Sequence, residues 1–234
     1  DNPNGSQRYY IGHVDWTGVN GLVEYTGSDK FSAVLQFGTS SQTYQWEGFY
    51  TAAPSTKSRK ITVDGGYIKG GANYRMNENS NIFFNVGQIM RPPSFDGVFP
   101  NADYDFEEAD DITNESFTSF ELGYGFISSN FKANVNAYHT VWGDRTLRRS
   151  SSIGDQGIRI IYSGVEQTHQ GIEAEMTWYP SSRLRVRGMT SLGNWKYSKN
   201  FQGDSYFTDN NQPAGETGTL YLDGVKIGDA AQTV

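Results

Sequence analysis

The sequence contains no cysteine among its 234 residues, so it can build neither a disulfide framework nor a thiolate metal site. Long hydrophobic runs are missing as well. Hydrophobic residues make up 36% of the chain, and no segment approaches the run of about 20 apolar residues that a helical membrane span requires. This excludes a helical membrane protein but not a β-barrel, whose strands turn only every second residue to lipid. Positive charge is scarce: 26 acidic residues face 19 lysines and arginines, a net charge of −7 that argues against a nucleic-acid partner. No G-x-S-x-G elbow, Walker loop or H-E-x-x-H motif is present, and His13, His139 and His169 are scattered. Neither catalysis nor a metal or other cofactor is expected.

What the chain has in plenty is glycine (27) and aromatic residues (15%), both suited to twisted β-structure. The stretch FTSFELGYGFISSNFKANVNAYHTVW, residues 117–142, shows the pattern. Phe120, Leu122, Tyr124 and Phe126 share one parity, against Ser119, Glu121, Gly123 and Gly125. After ISSN the alternation restarts with Phe131, Ala133, Val135 and Ala137 against Lys132, Asn134 and Asn136. Such strands belong to an antiparallel sheet with one apolar and one wet face. A soluble β-sandwich meets the same description, so the question is whether the apolar face meets a protein core or lipid.

Link lengths speak for lipid. Short polar turns TGSDK (26–30), NENSN (77–81), ISSN (127–130) and PSSR (180–183) recur about every 50 residues, with GDAAQ (228–232) on the same beat. Longer connections are expected between them, at 41–60, 92–115, 144–157 and 198–218. Alternate links of an up-and-down sheet lie at opposite ends, so one end carries tight turns and the other long loops, as in outer-membrane barrels. A Greek-key sandwich mixes lengths at both ends.

The strand faces add an energetic argument. In GIEAEMTWYPSSRLRVRGMTSLGNW the even positions Ile172, Ala174, Met176, Trp178, Leu184 and Val186 are apolar, while the odd ones include Glu173, Glu175, Thr177, Arg185 and Arg187. Turning the odd face to lipid would cost about 2–4 kcal/mol per arginine near mid-membrane. Glu121, Glu173, Glu175, Arg185 and Arg187 are therefore assigned to the watery lumen. Leu122, Tyr124, Phe126, Met176, Trp178 and Val186 are assigned to lipid. A three-residue loop 180–182 predicts Trp178 opposite Leu184, Met176 opposite Val186 and Glu175 opposite Arg187. Around ISSN the predicted pairs are Phe126 with Phe131, Leu122 with Val135 and Glu121 with Asn136. Around NENSN, Ile68, Ala72, Tyr74, Ile82, Phe84 and Val86 share one face, against Lys69, Asn73, Arg75 and Asn85. Aromatic residues beside the short turns (Tyr25, Phe31, Tyr74, Phe84, Phe126, Phe131 and Trp178) match an interfacial girdle.

Ligand contact, if this chain makes any, is expected at the long-loop end. NADYDFEEADD (101–111) carries an acidic run with Asp103, Tyr104 and Asp105, to be read either as a cation or iron-complex contact or as a solvated loop. GDRTLRR (143–149) gathers Arg145, Arg148 and Arg149 beside Trp142; arginine forks match carboxylate and phosphate groups. Those arginines could equally pair with the acidic run.

At these residues the sequence resembles a known family. GGYIKGGANYRMNENSNIFFNVGQIMRPPSFDGVFP looks like a mid-barrel hairpin of TonB-dependent receptors, with its arginine-proline step before a long loop. NESFTSFELGYGF followed by FKANVNAYHTVWGDR, then GVEQTHQGIEAEMTWYP and DGVKIGDAAQTV, are similar to later strands, closest in style to receptors of Bacteroidetes-type bacteria. The resemblance implies an all-β, up-and-down transmembrane barrel of 22 strands filled by a plug. Residues 1–234 would be one segment of it, about eight or nine strands from the C-terminal part, without plug, TonB box or closing strands. The implied function is active uptake of a ferric siderophore, cofactor or glycan, energised through TonB by way of the plug. Implied partners are outer-membrane lipid, the remainder of the same barrel and a small-molecule or iron-complex ligand. A passive outer-membrane channel or adhesin barrel, and a soluble glycan-binding β-domain, remain alternatives at this point. A segment of this kind standing alone is expected to leave two sheet edges unpaired.

Overall fold

The computed structural model describes residues 10–49, 56–100, 102, 106–109, 111–208 and 212–228. They form one antiparallel sheet of eleven strands. Eight are long: β1 (Tyr10–Tyr25), β2 (Phe31–Gly48), β4 (Ile61–Arg75), β5 (Ser80–Arg91), β6 (Glu115–Ile127), β7 (Phe131–Ile153), β8 (Gln156–Ser181) and β9 (Leu184–Tyr197). Three are short: β3 (Thr56–Lys57), β10 (Phe201–Phe207) and β11 (Pro213–Leu220). The single helix among the described residues, α1 (Phe95–Val98), lies between β5 and β6. Strands β1 to β8 follow chain order, apart from β3, which pairs beside β2. Strand β8 is then shared along its length: β9 pairs its residues 167–181 and β10 pairs residues 158–162. Among the described residues no ladder joins β1 to the far edge, so the sheet is an open, partial barrel wall.

The expected strands are present, but two registers slip by two residues. In the β6–β7 hairpin Phe126 stands opposite Ala133, Leu122 opposite Ala137 and Glu121 opposite Tyr138. The Ser128 amide donates to the Phe131 carbonyl at 2.7 Å, leaving a tight turn where a four-residue loop had been expected. In the β8–β9 hairpin Trp178 faces Val186, Met176 faces Gly188 and Glu175 faces Met189, while Arg187 faces Thr177. The expected Glu175–Arg187 pair is therefore not a cross-strand neighbour. Pro180 explains the local irregularity, since it has no N–H for the ladder and a bulge lies between Trp178 and Ser181. A slip of two preserves which side chains share a face, so alternation could not detect it.

Connections also differ from the expectation. Strand β2 runs on to Gly48, and β7 and β8 continue through 144–157 to a turn where Ile153 pairs with Gln156. Residues 198–218 contain β10 and most of β11. Only 92–115 remains a long connection among the described residues. The strands outside the expected ones lie beyond the apolar alternation, where nothing in the sequence obliges period two.

The two faces of the sheet are unequal. Leu122 is 52% exposed and Met176 44%, and Ile68, Val86, Phe120 and Ile172 are likewise exposed. On the opposite face Glu121 accepts hydrogen bonds from Asn85 at 2.8 Å and Asn136 at 2.9 Å. Glycine lets that face carry rings: a Cβ on Gly123 would lie 2.0 Å from the Phe83 ring across the β5–β6 pair. The packed core is confined to the long-loop end, around Tyr44, Trp46, Val98 and Phe99 on one side and Tyr162, Val165 and Phe201 on the other.

Candidate functional site

Residues from three strands converge where β5, β6 and β7 reach the long-loop end. Pro92 and Pro93 follow β5 and cannot extend its ladder, so the chain leaves after Arg91 and returns at Glu115, directly opposite. That register makes Arg91 and Glu115 an ion pair. Two residues along β6, on the same face, Phe117 stands opposite Trp142 of β7, and their rings stack with centroids 4.9 Å apart. The Trp142 indole N–H donates to Glu115 at 3.0 Å. The Arg91 guanidinium lies over both rings, 5.4 Å from Phe117 and 5.7 Å from Trp142.

A bulge then brings Arg145 into the group. Asp144 takes φ 57°, a left-handed conformation tolerated by Asp, and accepts a hydrogen bond from the Ser116 hydroxyl at 2.7 Å. The β7–β8 register shifts between Trp142 and Arg145. Arg145, three residues on, is turned back so that its guanidinium sits 3.6 Å from the Trp142 ring centroid. The result is a layered stack of arginine, tryptophan and phenylalanine, closed at its edge by an arginine–glutamate pair.

The described residues of the connection 92–115 pack against β1 and β2 rather than standing in solvent. Phe95 stacks on Tyr10 at 6.0 Å and lies over Gly12, where a Cβ would stand 2.9 Å from its ring. The Tyr44 hydroxyl is shared between the Pro93 carbonyl and the Gln42 side chain, each at 2.7 Å, and the Trp46 indole N–H donates to the Ala102 carbonyl at 2.8 Å. Burial pushes the Tyr44 phenol up to about 12. Arg59 pairs with Glu108 of the acidic run, which raises the guanidinium's affinity for its proton, and Arg148 reaches Asp96 of α1 at 3.6 Å. A cavity of about 250 Å³ between this connection and the β7–β8 hairpin is lined by Asp96, Glu107, Glu108, Asp111, Arg159 and Asp204, among others.

The structure thus joins two of the expected ligand-end residues, Trp142 and Arg145, and separates the others. Arg148 serves Asp96; Arg149 pairs opposite Ile160, further up the hairpin. Asp103, Tyr104 and Asp105 lie outside the described residues. Sequence reasoning missed Arg91, Glu115 and Phe117, which stand 25 to 51 positions from Trp142 and meet it only through strand register. Their signal was present in the arginine-proline step and in the phenylalanine on the polar parity. Among the described residues no group of three or more His, Asp or Glu side chains is placed to hold a metal ion. His13 instead pairs with Glu47 at 2.8 Å, and His139 with Gln170 at 3.2 Å.

Residues 1–227 match the family model described as TonB dependent receptor-like, beta-barrel. The chain belongs to this family. Its place is accordingly the cell outer membrane, which sets aside the soluble β-domain. As a TonB-dependent receptor barrel it is also similar in fold to a solved structure titled "Copper transporter OprC". The TM-score is 0.56 at 14% identity, over 92% of this chain and 34% of that one. The chain thus spans about a third of that structure's length, and identity this low carries the fold alone. No curated protein matches the sequence.

Proposed function

We propose that this chain is part of the barrel wall of an active-transport receptor. It would take up a small molecule (a ferric siderophore, a cofactor or a glycan), energised through TonB by way of a plug that is not among these residues. The observation that carries the reading is the two-faced sheet of a family member. One face exposes many large apolar side chains, among them Ile68, Val86, Phe120, Leu122, Ile172 and Met176, where soluble monomers rarely expose large apolar patches. The other is polar and hydrogen-bonded. In this reading Leu122, Tyr124, Phe126, Met176, Trp178 and Val186 meet lipid, and Glu121, Glu173, Glu175, Arg185 and Arg187 meet the lumen. The ligand would arrive at the long-loop end and touch Trp142 and Arg145, with Arg148, Arg149, Asp103, Tyr104 and Asp105 as further candidate contacts.

The test is uptake by cells carrying or lacking the full-length protein, with a panel of ferric siderophores, corrinoids and oligosaccharides. The reading expects one class to lose uptake with the gene and to lose it equally when a protonophore collapses the proton gradient. Uptake that depends on the protein but survives the protonophore would instead establish a passive channel.

A further inference from the structure

We infer that Arg145, laid on Trp142, is a subsite for a carboxylate group of the transported molecule; this rests on the transport reading above. A guanidinium stacked on an indole face keeps its in-plane N–H edge available, and that edge matches a carboxylate with two parallel hydrogen bonds. The base beneath it is fixed. Trp142 is held by the Phe117 stack and by its bond to Glu115, so Arg145 is presented in one orientation at low entropic cost.

Charge accounting separates Arg145 from the other arginine of the cluster, Arg91. Arg91 is neutralised by Glu115 and Arg148 faces Asp96, whereas no described residue accepts a hydrogen bond from Arg145. Phe117 also forms part of the wall of a cavity of about 300 Å³ that Gln36, Lys69, Asn85, Ser119 and Glu121 line with polar groups. A phosphate could use the same fork. The carboxylates of Glu115 and the neighbouring Asp144 weigh against it, because they repel a dianion more strongly than a monoanion.

The experiment uses the full-length receptor in detergent, with benzoate, benzamide and inorganic phosphate as probes. Trp142 emission is read as the difference between the protein and its Trp142→Phe variant. Benzoate should perturb it saturably and bind at least about tenfold tighter than the isosteric amide, a difference of about 1.4 kcal/mol. Arg145→Gln should abolish that preference, Arg145→Lys should retain charge but lose most of it, and Arg183→Gln at the opposite end should leave it intact. Equal binding of benzoate and benzamide, or a preference that survives Arg145→Gln, overturns the subsite. Phosphate binding tighter than benzoate overturns the carboxylate assignment. Uptake is measured separately in cells, so a working transporter without this preference refutes the subsite alone. A preference in a protein that transports nothing refutes the transport reading alone.

Discussion

Tyr44 shows how one side chain holds a connection that strand alternation does not describe. Its ring is buried among Trp46, Val98 and Phe99, and its hydroxyl is bound to the Pro93 carbonyl. Replacing it with phenylalanine leaves that carbonyl without its donor, a loss of about 1–3 kcal/mol. Tyr44→Phe should accordingly expose residues 92–102 to protease at lower temperature, read by cleavage against time. Its pH dependence has a definite sign. The folded phenol is raised to about 12, above the ordinary value of about 10, so the fold favours the protonated form. The contribution is complete below about pH 10 and is lost as pH rises towards 12. Protection of this connection should fall over that window in the native protein and fall less steeply in Tyr44→Phe. Gly123 makes a second point at this scale. With Phe83 lying 2.0 Å from where a Cβ would be, Gly123→Val should lower the temperature at which the folded protein loses its compact migration in electrophoresis. Gly123 was legible in the sequence as a small residue on the wet parity. That a phenylalanine lies across it was not, because the contact belongs to the neighbouring strand.

Strands were legible in the sequence wherever one face had to be apolar. The pattern Phe120–Leu122–Tyr124 requires period two, and β6 forms over Glu115–Ile127. Register was legible only up to multiples of two, because moving Arg187 from opposite Glu175 to opposite Thr177 changes no facing. The turns decide it, and a tight turn at Ser129–Asn130 completes more of the ladder than the longer loop would. The upper parts of β7 and β8 escaped notice for a related reason: the bulge at Asp144 interrupts the alternation, and the residues beyond it need no apolar face. Because the sequence has no cysteine, cross-linking can read the register directly. Thr177→Cys with Arg187→Cys should form a disulfide on oxidation. Glu175→Cys with Arg187→Cys should not, since diagonal neighbours stand about 7–8 Å apart. The opposite result would restore the expected register.

The sheet as assembled has an exposed apolar face, a polar face, an open edge at β1 and a packed core only at one end. In water such an arrangement would be unstable; in a bilayer the apolar face is satisfied, but the unpaired β1 edge is not. In the full-length protein the amides of β1 that face away from β2 should therefore be protected from hydrogen exchange by a strand outside the described residues. Rapid exchange along that edge would contradict barrel closure. The cluster at the long-loop end was legible only in part, through Trp142 and Arg145. Its organisation was not, because Arg91, Glu115 and Phe117 meet Trp142 only once the strands are in register.

The facing of the wall is tested most directly by spin labels placed one at a time in the full-length receptor in bilayers. Labels at Leu122 and Met176 should relax with lipid-soluble oxygen and ignore a water-soluble nickel chelate. Labels at Glu121 and Glu175 should do the reverse. If the chelate reaches Leu122 and Met176 while oxygen dominates at Glu121 and Glu175, the apolar face does not meet lipid.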